Sequence, residues 1–281
     1  MAFKIVRSSP EEIKKIQALE RIKIPSVNLD ILSIVFFGED YDVNEFIHLH
    51  NPTFKEVKEF GEMKYLHLVS LITMRSYDDC VALDDKGLNY QEISDFDIFI
   101  RNTRKLTPED SRIIFGSLDF SKFTIEFSEE TQTHYLKCVL NDYQTIIIDK
   151  NTYAYIVAFV RKINFVSEKI EYDMGNEIGR KFLLERKRRK QELAKKSKQD
   201  NTQPKSQLAN IASFCCAHSG GKYNYQTIQY IKISQLYDEY KRLNFIDERN
   251  DFSAALRTGM MKDADVHKGA YKLDAARNLY E

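Results

Sequence analysis

A run of cations between Arg180 and Lys198 is the part of this sequence whose residue types and spacing could most directly do chemistry. The run contains ten Lys or Arg and two Glu, a net charge of +8. The 179 residues before it contain 21 basic and 30 acidic side chains, a net charge of −9, whereas the 83 residues after it are almost neutral. On a helix, so many cations could follow a phosphate backbone, and counterion release would make that binding strongly dependent on salt.

The same run lacks the other features of a nucleic-acid site. Such sites usually interleave aromatic or base-reading side chains with the charges, and no aromatic residue follows Phe182 within the run. A second interpretation is a solvated helix that connects two lobes and lies against the acidic N-terminal body or against an acidic partner. The sequence favours this interpretation and leaves nucleic-acid binding through 180–198 as the alternative.

Cys215, Cys216 and His218 resemble part of a metal site. Structural zinc needs four ligands, usually in spaced pairs, and no second Cys or His pair lies near them in the sequence. Cys138 and His134 could contribute only if the C-terminal part of the chain folded back onto the strands that contain them. We therefore predict no metal, no cofactor and four reduced, mostly buried cysteines.

Carboxylates are a further set of residues that could do chemistry. Nuclease and phosphoryl-transfer sites use clusters of acids to hold metal ions, and the candidates here are Asp78, Asp79, Asp84, Asp85, Asp95, Asp97 and Asp110. They fall at predicted helix ends and turns, so capping and solubility explain them more simply, and a carboxylate-dependent nuclease is the weaker third hypothesis. The chain has no phosphate-binding glycine loop, nucleophile elbow, H-E-x-x-H pair or dinucleotide fingerprint. The sequence therefore predicts that the protein is not an enzyme.

Tyrosines concentrate near the C-terminal end of the chain. Five lie within about 18 residues: Tyr223, Tyr225, Tyr230, Tyr237 and Tyr240. Tyrosine suits protein interfaces because its large rigid ring also carries a polar end. A small domain that uses these rings in its own core is an equally good interpretation.

Residues 1–116 have the pattern of a mainly helical region. Ser9 and Pro10 predict the start of a first helix, and Thr107 and Pro108 predict the start of a later one that ends at Gly116. Residues 53–84 have helical spacing, broken near Gly61. The apolar run 29–37 is ambiguous between a buried strand and a buried helix.

The pattern changes to strands after Phe120. Apolar residues alternate with polar ones from Phe123, and two further strands are predicted at 135–140 and 143–148. Asp149 then caps a helix with one apolar face. Three antiparallel strands with a packed helix predict an α+β fold.

The remainder of the chain is predicted to be helical. Ser206 caps one helix, Ser234 starts another, and a third short helix lies between Asp247 and Met261. We predict an acidic α+β domain at 1–178, a basic connector helix and linker at 179–205, and a small all-α domain at 206–281. No run of about 18 apolar residues and no secretory signal occurs, which predicts an intracellular protein with no membrane partner.

Several segments together resemble a known group of proteins. They are GLNYQEISDFDIFI (87–100), TIIIDKNTYAYIVAFVRKI (145–163), FLLERKRRK (182–190), and, across 208–243, LANIASFCCAHSGGKYNYQTI followed by ISQLYDEYKRL. Their order resembles a poorly characterised group from the tail-morphogenesis regions of bacteriophages that infect Gram-positive bacteria. The layout is similar to that of tail assembly chaperones, which are not enzymes and which coat or recruit other tail components.

The resemblance implies a phage assembly or structural protein that acts by protein–protein recognition in the host cytoplasm, with retention in the virion left open. Its implied partners are other phage tail or virion proteins, and self-association is also left open. Residue types then select the partner-binding candidates: Arg186, Arg188, Arg189 and Lys190 for charge, and Tyr223, Tyr225 and Tyr237 for contact.

Overall fold

The computed structural model describes residues 23–104, 106–166, 177–197 and 206–258. The helix predicted after Ser9, the linker at 199–205 and the chain beyond Thr258 lie outside these residues. In the described part of the chain, no helix is both long and apolar enough to span a membrane. The fold class is α+β, as predicted.

Five helices form most of the described N-terminal half, and the predicted start of the fifth at Thr107 is confirmed. Thr53 and Glu56 form a capping box before the first helix, and Thr107 and Asp110 form one before the fifth. The five are α1 (Phe54–Phe60), α2 (Glu62–Thr73), α3 (Cys80–Asp84), α4 (Asp95–Thr103) and α5 (Pro108–Phe115).

A two-stranded hairpin precedes these helices and was not predicted. It pairs β1 (Tyr41–Asp42) with β2 (His48–Leu49) in antiparallel register. Strands of two residues are too short to show an alternating pattern, so the sequence contains no signal for them. The ambiguous run before the hairpin forms a single π-helical turn at Leu32–Phe36, with only Ile34 and Val35 buried.

The predicted three-stranded sheet and its helix are confirmed. The sheet has the order β3-β4-β5 and is antiparallel throughout; the strands are β3 (Thr124–Ser128), β4 (Thr133–Asn141) and β5 (Gln144–Ile148). Helix α6 (Lys150–Ile163) follows, and the carboxylate of Asp149 caps it by accepting a 2.8 Å hydrogen bond from the Thr152 amide. Leu136 and Cys138 point from β4 into the core opposite Ile148 and Ile146.

Three further helices complete the described chain: α7 (Glu177–Ser197), α8 (Gln207–His218) and α9 (Ile233–Arg257). Ser206 caps α8 as predicted. The prediction of two separate helices from Ser234 onward was wrong, because α9 continues through Asp247 without a break. No Gly or Pro interrupts that segment, and a surface Asp is tolerated inside a helix whose other face is packed.

Segments from both ends of the described chain pack into one main hydrophobic cluster. Leu208, Cys215 and Leu236 belong to the same cluster as the buried residues of α2 and α6. At the start of α9, the Ile233 amide donates to the Pro52 carbonyl at 2.8 Å, which joins α9 to the N-terminus of α1. The division into domains at 179–205 stays a prediction; the helices that follow it share their core with the region that precedes it.

Candidate protein-interaction surfaces

One face of the basic helix α7 is docked on α3. Leu183 and Leu184 are 9% and 4% exposed, and they belong to a small hydrophobic cluster with Cys80, Val81 and Leu83. This cluster is separate from the main core. The apolar start of the basic run therefore holds α7 against the N-terminal body.

Two arginines of α7 form ion pairs with carboxylates at the end of α3. Arg180 Nη2 lies 3.2 Å from Asp84 Oδ1, and Arg188 Nη2 lies 3.0 Å from Asp84 Oδ2 and 2.6 Å from Asp85 Oδ1. The hydrogen bonds to Asp85 and Asp84 raise the pKa of Arg188. These partly exposed pairs fix the position and direction of α7 more than they add stability.

Lys187 lies between these arginines and contacts the segment just before α3. Its Nζ donates a 2.6 Å hydrogen bond to the Tyr77 carbonyl oxygen and lies 3.1 Å from the centroid of the Tyr77 ring. Burial raises the pKa of the neighbouring Cys80 thiol, and the Lys187 ammonium only partly opposes that increase. Lys187 is thus committed to contacts within the chain.

The opposite face of α7 remains exposed and combines cations with apolar side chains. Ile178, Phe182 and Leu193 are 79%, 63% and 59% exposed. Arg186 and Arg189 are also exposed. Because an α-helix has 3.6 residues per turn, their spacing places them on the same side of the helix as these three apolar residues. We call these five residues the outer face of α7.

The four predicted cationic contact residues therefore fall into two groups. Arg188 is engaged with Asp84 and Asp85, whereas Arg186, Arg189 and Lys190 are exposed and form no ion pair among the residues that the structure describes. The role of all four in binding a partner stays a prediction.

The three predicted tyrosines also differ in availability. Tyr225 is 79% exposed. Tyr223 is half-buried beneath the Lys222 ammonium, which lies 4.7 Å from its ring centroid. Tyr237 packs against Phe165, with ring centroids 6.1 Å apart, and burial raises its pKa to about 12. Their role in partner binding stays a prediction, and only Tyr225 presents most of its ring to solvent.

Tyr225 stands at the edge of a groove of about 380 Å³ between α1 and α8. Small residues on one side of α8, Ala209, Ala212 and Ser213, form one wall, and Lys55 and Lys58 of α1 lie along the other. The start of α8 is positioned by Glu62, whose Oε1 accepts hydrogen bonds from the Gln207 and Leu208 amides at 2.8 and 3.0 Å. The groove was not predicted, because it depends on the packing of distant helices.

A second cleft, of about 430 Å³, lies between the hairpin, the end of α5 and the sheet. Buried apolar side chains line its floor: Leu49, Phe115, Phe123, Cys138 and Ile146. Asp40 and Asp42 lie at its rim with two histidines. We call it the acidic cleft.

The histidines at the rim are each paired with a carboxylate. His48 Nδ1 lies 2.5 Å from Asp42 Oδ1, and this hydrogen bond raises the pKa of His48. His50 Nδ1 lies 2.9 Å from Asp40 Oδ2, and its Nε2 lies 3.3 Å from Glu56. A His50 amide hydrogen bond to the Ile114 carbonyl, at 2.8 Å, ties the hairpin to α5 and so keeps the cleft in shape.

The residues proposed for metal binding or nuclease activity do not form a common site in the described part of the chain. There, no group of three or more His, Cys, Asp or Glu side chains is arranged to hold a metal ion. All four cysteines are free thiols, and burial raises the pKa of Cys215 to about 12. The candidate acids are dispersed: Asp78 pairs with Arg75, Asp79 with Arg101, and Asp97 with His134, while Asp110 caps α5.

Comparison with known proteins gives one partial match. A protein-family model described as YomV second domain matches residues 195–271, which include α8, α9 and all three predicted tyrosines. Comparisons with curated proteins and with solved structures found no match. The matched family is phage-associated, so the C-terminal part of this chain fits a phage protein.

Proposed function

We propose that this is a non-enzymatic phage assembly or structural protein that works by recognising other proteins, as tail assembly chaperones do. The observation that carries the proposal is the outer face of α7, where exposed apolar residues stand among arginines that form no ion pair with any described residue. The match of residues 195–271 to a phage-associated family supports the phage setting. The tail-assembly role rests on the resemblance of the sequence segments described above.

The composition of the outer face favours a protein partner over nucleic acid. In a nucleic acid the phosphates attract cations and unpaired bases stack on aromatic rings, but neither group gains from exposed aliphatic side chains such as Ile178 and Leu193. Apolar residues beside arginines are typical of the central part of protein–protein interfaces. We infer that the partner presents acidic groups around an apolar surface.

The proposed partners are other phage tail or virion proteins, met in the host cytoplasm. The groove beside Tyr225 gives a second contact surface, where Lys58 could meet an acidic group while Lys55 is paired with Glu59 at 3.9 Å. Nothing in this mechanism needs a cofactor: binding energy would come from burying the apolar residues, while the arginines would set the orientation.

Nucleic-acid binding is the second candidate function, because Arg186, Arg189 and Lys190 are exposed and unpaired among the described residues. Two sets of substitutions separate the candidates. Phe182→Ser with Leu193→Ser removes only apolar contacts, and Arg186→Gln with Arg189→Gln and Lys190→Gln removes only charge. Lys86→Gln, at an exposed lysine after α3, is the matched control for loss of one surface charge.

Binding of each variant would be measured with purified tail-tube and tape-measure proteins from the same phage, and with duplex DNA across a salt series. We expect the apolar variant to lose binding to a tail protein by about tenfold or more. The alternative result is a wild type that binds only DNA and a charge variant that alone changes the salt dependence. Loss of three phosphate contacts should reduce the slope of log K against log salt concentration by about 2.7, and that result would identify nucleic-acid binding as the function.

A further inference from the structure

We propose that the outer face of α7 in one copy of this protein docks into the acidic cleft of a second copy. The inference rests on the proposed function in one respect, since both use the outer face of α7 as a recognition surface. It goes further by naming an occupant for the cleft and by predicting which two surfaces meet between copies.

The acidic cleft has the chemistry that such an occupant needs. The Asp42 side chain is 72% exposed at its rim beside His48, and the floor is apolar and buried. Asp40 is 52% exposed but is already paired with His50 and with Lys232, so Asp42 is the carboxylate that an incoming arginine would contact. Leu140 is 51% exposed beside the same cleft, so the apolar lining extends to the surface. Lys122 is also at the rim, where it is paired with Asp119 at 3.5 Å.

The outer face of α7 is complementary in both charge and polarity. Phe182 is a large exposed aromatic side chain, and a cleft of about 430 Å³ has room for such a ring. Arg186 lies one turn further along, about 6 Å in axial rise, so it can reach a carboxylate at the rim once the ring is inserted. An aromatic anchor in an apolar pocket with flanking ion pairs is a common pattern for residues that dominate binding energy.

A second copy fits the cleft better than the same copy does. Leu183, Leu184, Arg180 and Arg188 hold the inner face of α7 on α3, so the outer face is directed away from the body that carries it. The groove beside Tyr225 is a poorer acceptor for α7, because two lysines, Lys55 and Lys58, line it with one acid, Glu59, which is paired with Lys55 at 3.9 Å. The acidic cleft offers the arginines the exposed carboxylate of Asp42.

Two different surfaces meet in this contact, and that determines which variants can still pair. The contact either forms reciprocally, so that two copies close into a symmetric dimer, or repeats from copy to copy into a ring or an open chain. If either surface is removed, copies of the same variant can no longer make the contact with one another. A mixture of two variants, each lacking a different surface, retains one intact contact and should stop at a pair.

The experiment measures the mass of the full-length protein by sedimentation velocity over a range of concentrations. The face variant is Phe182→Ser with Arg186→Glu, and the cleft variant is Asp42→Lys with Leu140→Ser; all four positions are at least partly exposed, so both variants should fold. We expect the wild type to form dimers or larger species, and each variant alone to self-associate about tenfold or more weakly. An equimolar mixture should form a 1:1 complex that does not grow further.

The mixed sample also shows that both variants are folded, since each must offer one intact surface. A wild type that stays monomeric at about 100 μM, or a mixture that fails to pair although both variants keep the wild-type melting temperature, overturns the proposal. Binding to tail proteins is measured separately. If the wild type binds a tail protein but stays monomeric, the self-docking proposal is wrong and the proposed function stands.

Discussion

Substitution of Leu184 by alanine tests whether α7 is an independently docked element. Leu184 is 4% exposed and lies in the small cluster with Cys80, Val81 and Leu83, not in the main core. A buried Leu→Ala change costs about 2–5 kcal/mol, and a site near the protein surface can collapse around the cavity, so we expect a value near 2.7 kcal/mol. That value corresponds to about a 100-fold increase in the population of the undocked state.

Hydrogen exchange followed by mass spectrometry measures this local opening. In the regime where exchange reports the opening equilibrium, peptides from Ile178 to Lys190 should exchange up to about 100-fold faster in the variant. Peptides from α6 should keep their protection, because α6 is buried in the main core and does not depend on the small cluster.

Leu193→Ala is the matched control on the same helix. Leu193 is 59% exposed, so its truncation should change the free energy of opening by less than about 0.5 kcal/mol. If Leu184→Ala leaves the exchange of α7 unchanged, the small cluster does not hold the helix. If α6 and α7 lose protection equally, α7 opens only with global unfolding, and the assignment of a separate docking unit is refuted.

Three further predictions concern buried or capping groups. Tyr65→Phe removes the 2.8 Å hydrogen bond from the Tyr65 hydroxyl to Asn164 Oδ1 and leaves that buried oxygen unpaired. The free energy of unfolding, measured in urea, should fall by about 1–3 kcal/mol, and a fall of under about 0.3 kcal/mol would contradict the hydrogen bond. Cys216 is only partly buried, so a thiol reagent at pH 8 should label it before the other cysteines. Cys216→Ser should abolish this fast phase of labelling. Fast labelling of Cys215 would contradict its burial and its pKa of about 12. Burial raises the pKa of Glu56, but hydrogen bonds with Thr53 and His50 outweigh it and leave the pKa below its ordinary value. The stability that ionised Glu56 contributes is therefore fully present above that ordinary pKa and is lost as pH falls through the lowered one. The difference in unfolding free energy between wild type and Glu56→Gln should shrink from about pH 5 to pH 3, and a difference that grows would reverse the sign.

The sequence was sufficient to predict those helices and strands that depend on interactions between residues close together along the chain. The capping box at Thr107 and Asp110 lies within four residues, and the cap at Asp149 acts on an amide three residues away. The sheet was predictable because its strands alternate and follow one another directly along the chain. In each case the sequence window that decides the structure is shorter than the element itself.

The candidate surfaces could not be predicted in this way, because they depend on contacts between distant parts of the chain. Arg180 and Asp84 are 96 residues apart, and Arg188 and Asp85 are 103 apart. The sequence predicts that cations and carboxylates are present, but it does not determine which of them meet. The acidic cleft is a further case, since its walls come from a hairpin without a sequence pattern and from strands nearly 100 residues later.

The division of charge on α7 is more informative than its total. A net charge of +8 favours any polyanion equally. Once Arg180, Lys187 and Arg188 are committed to the N-terminal body, the remaining exposed arginines stand among Ile178, Phe182 and Leu193. A phosphate backbone gains little from those apolar residues, whereas a protein surface that buries them gains about 25 cal/mol for each Å² removed from water. The apolar residues among the cations are therefore the reason to expect α7 to bind protein, and removing them without changing charge is the substitution that separates the two functions.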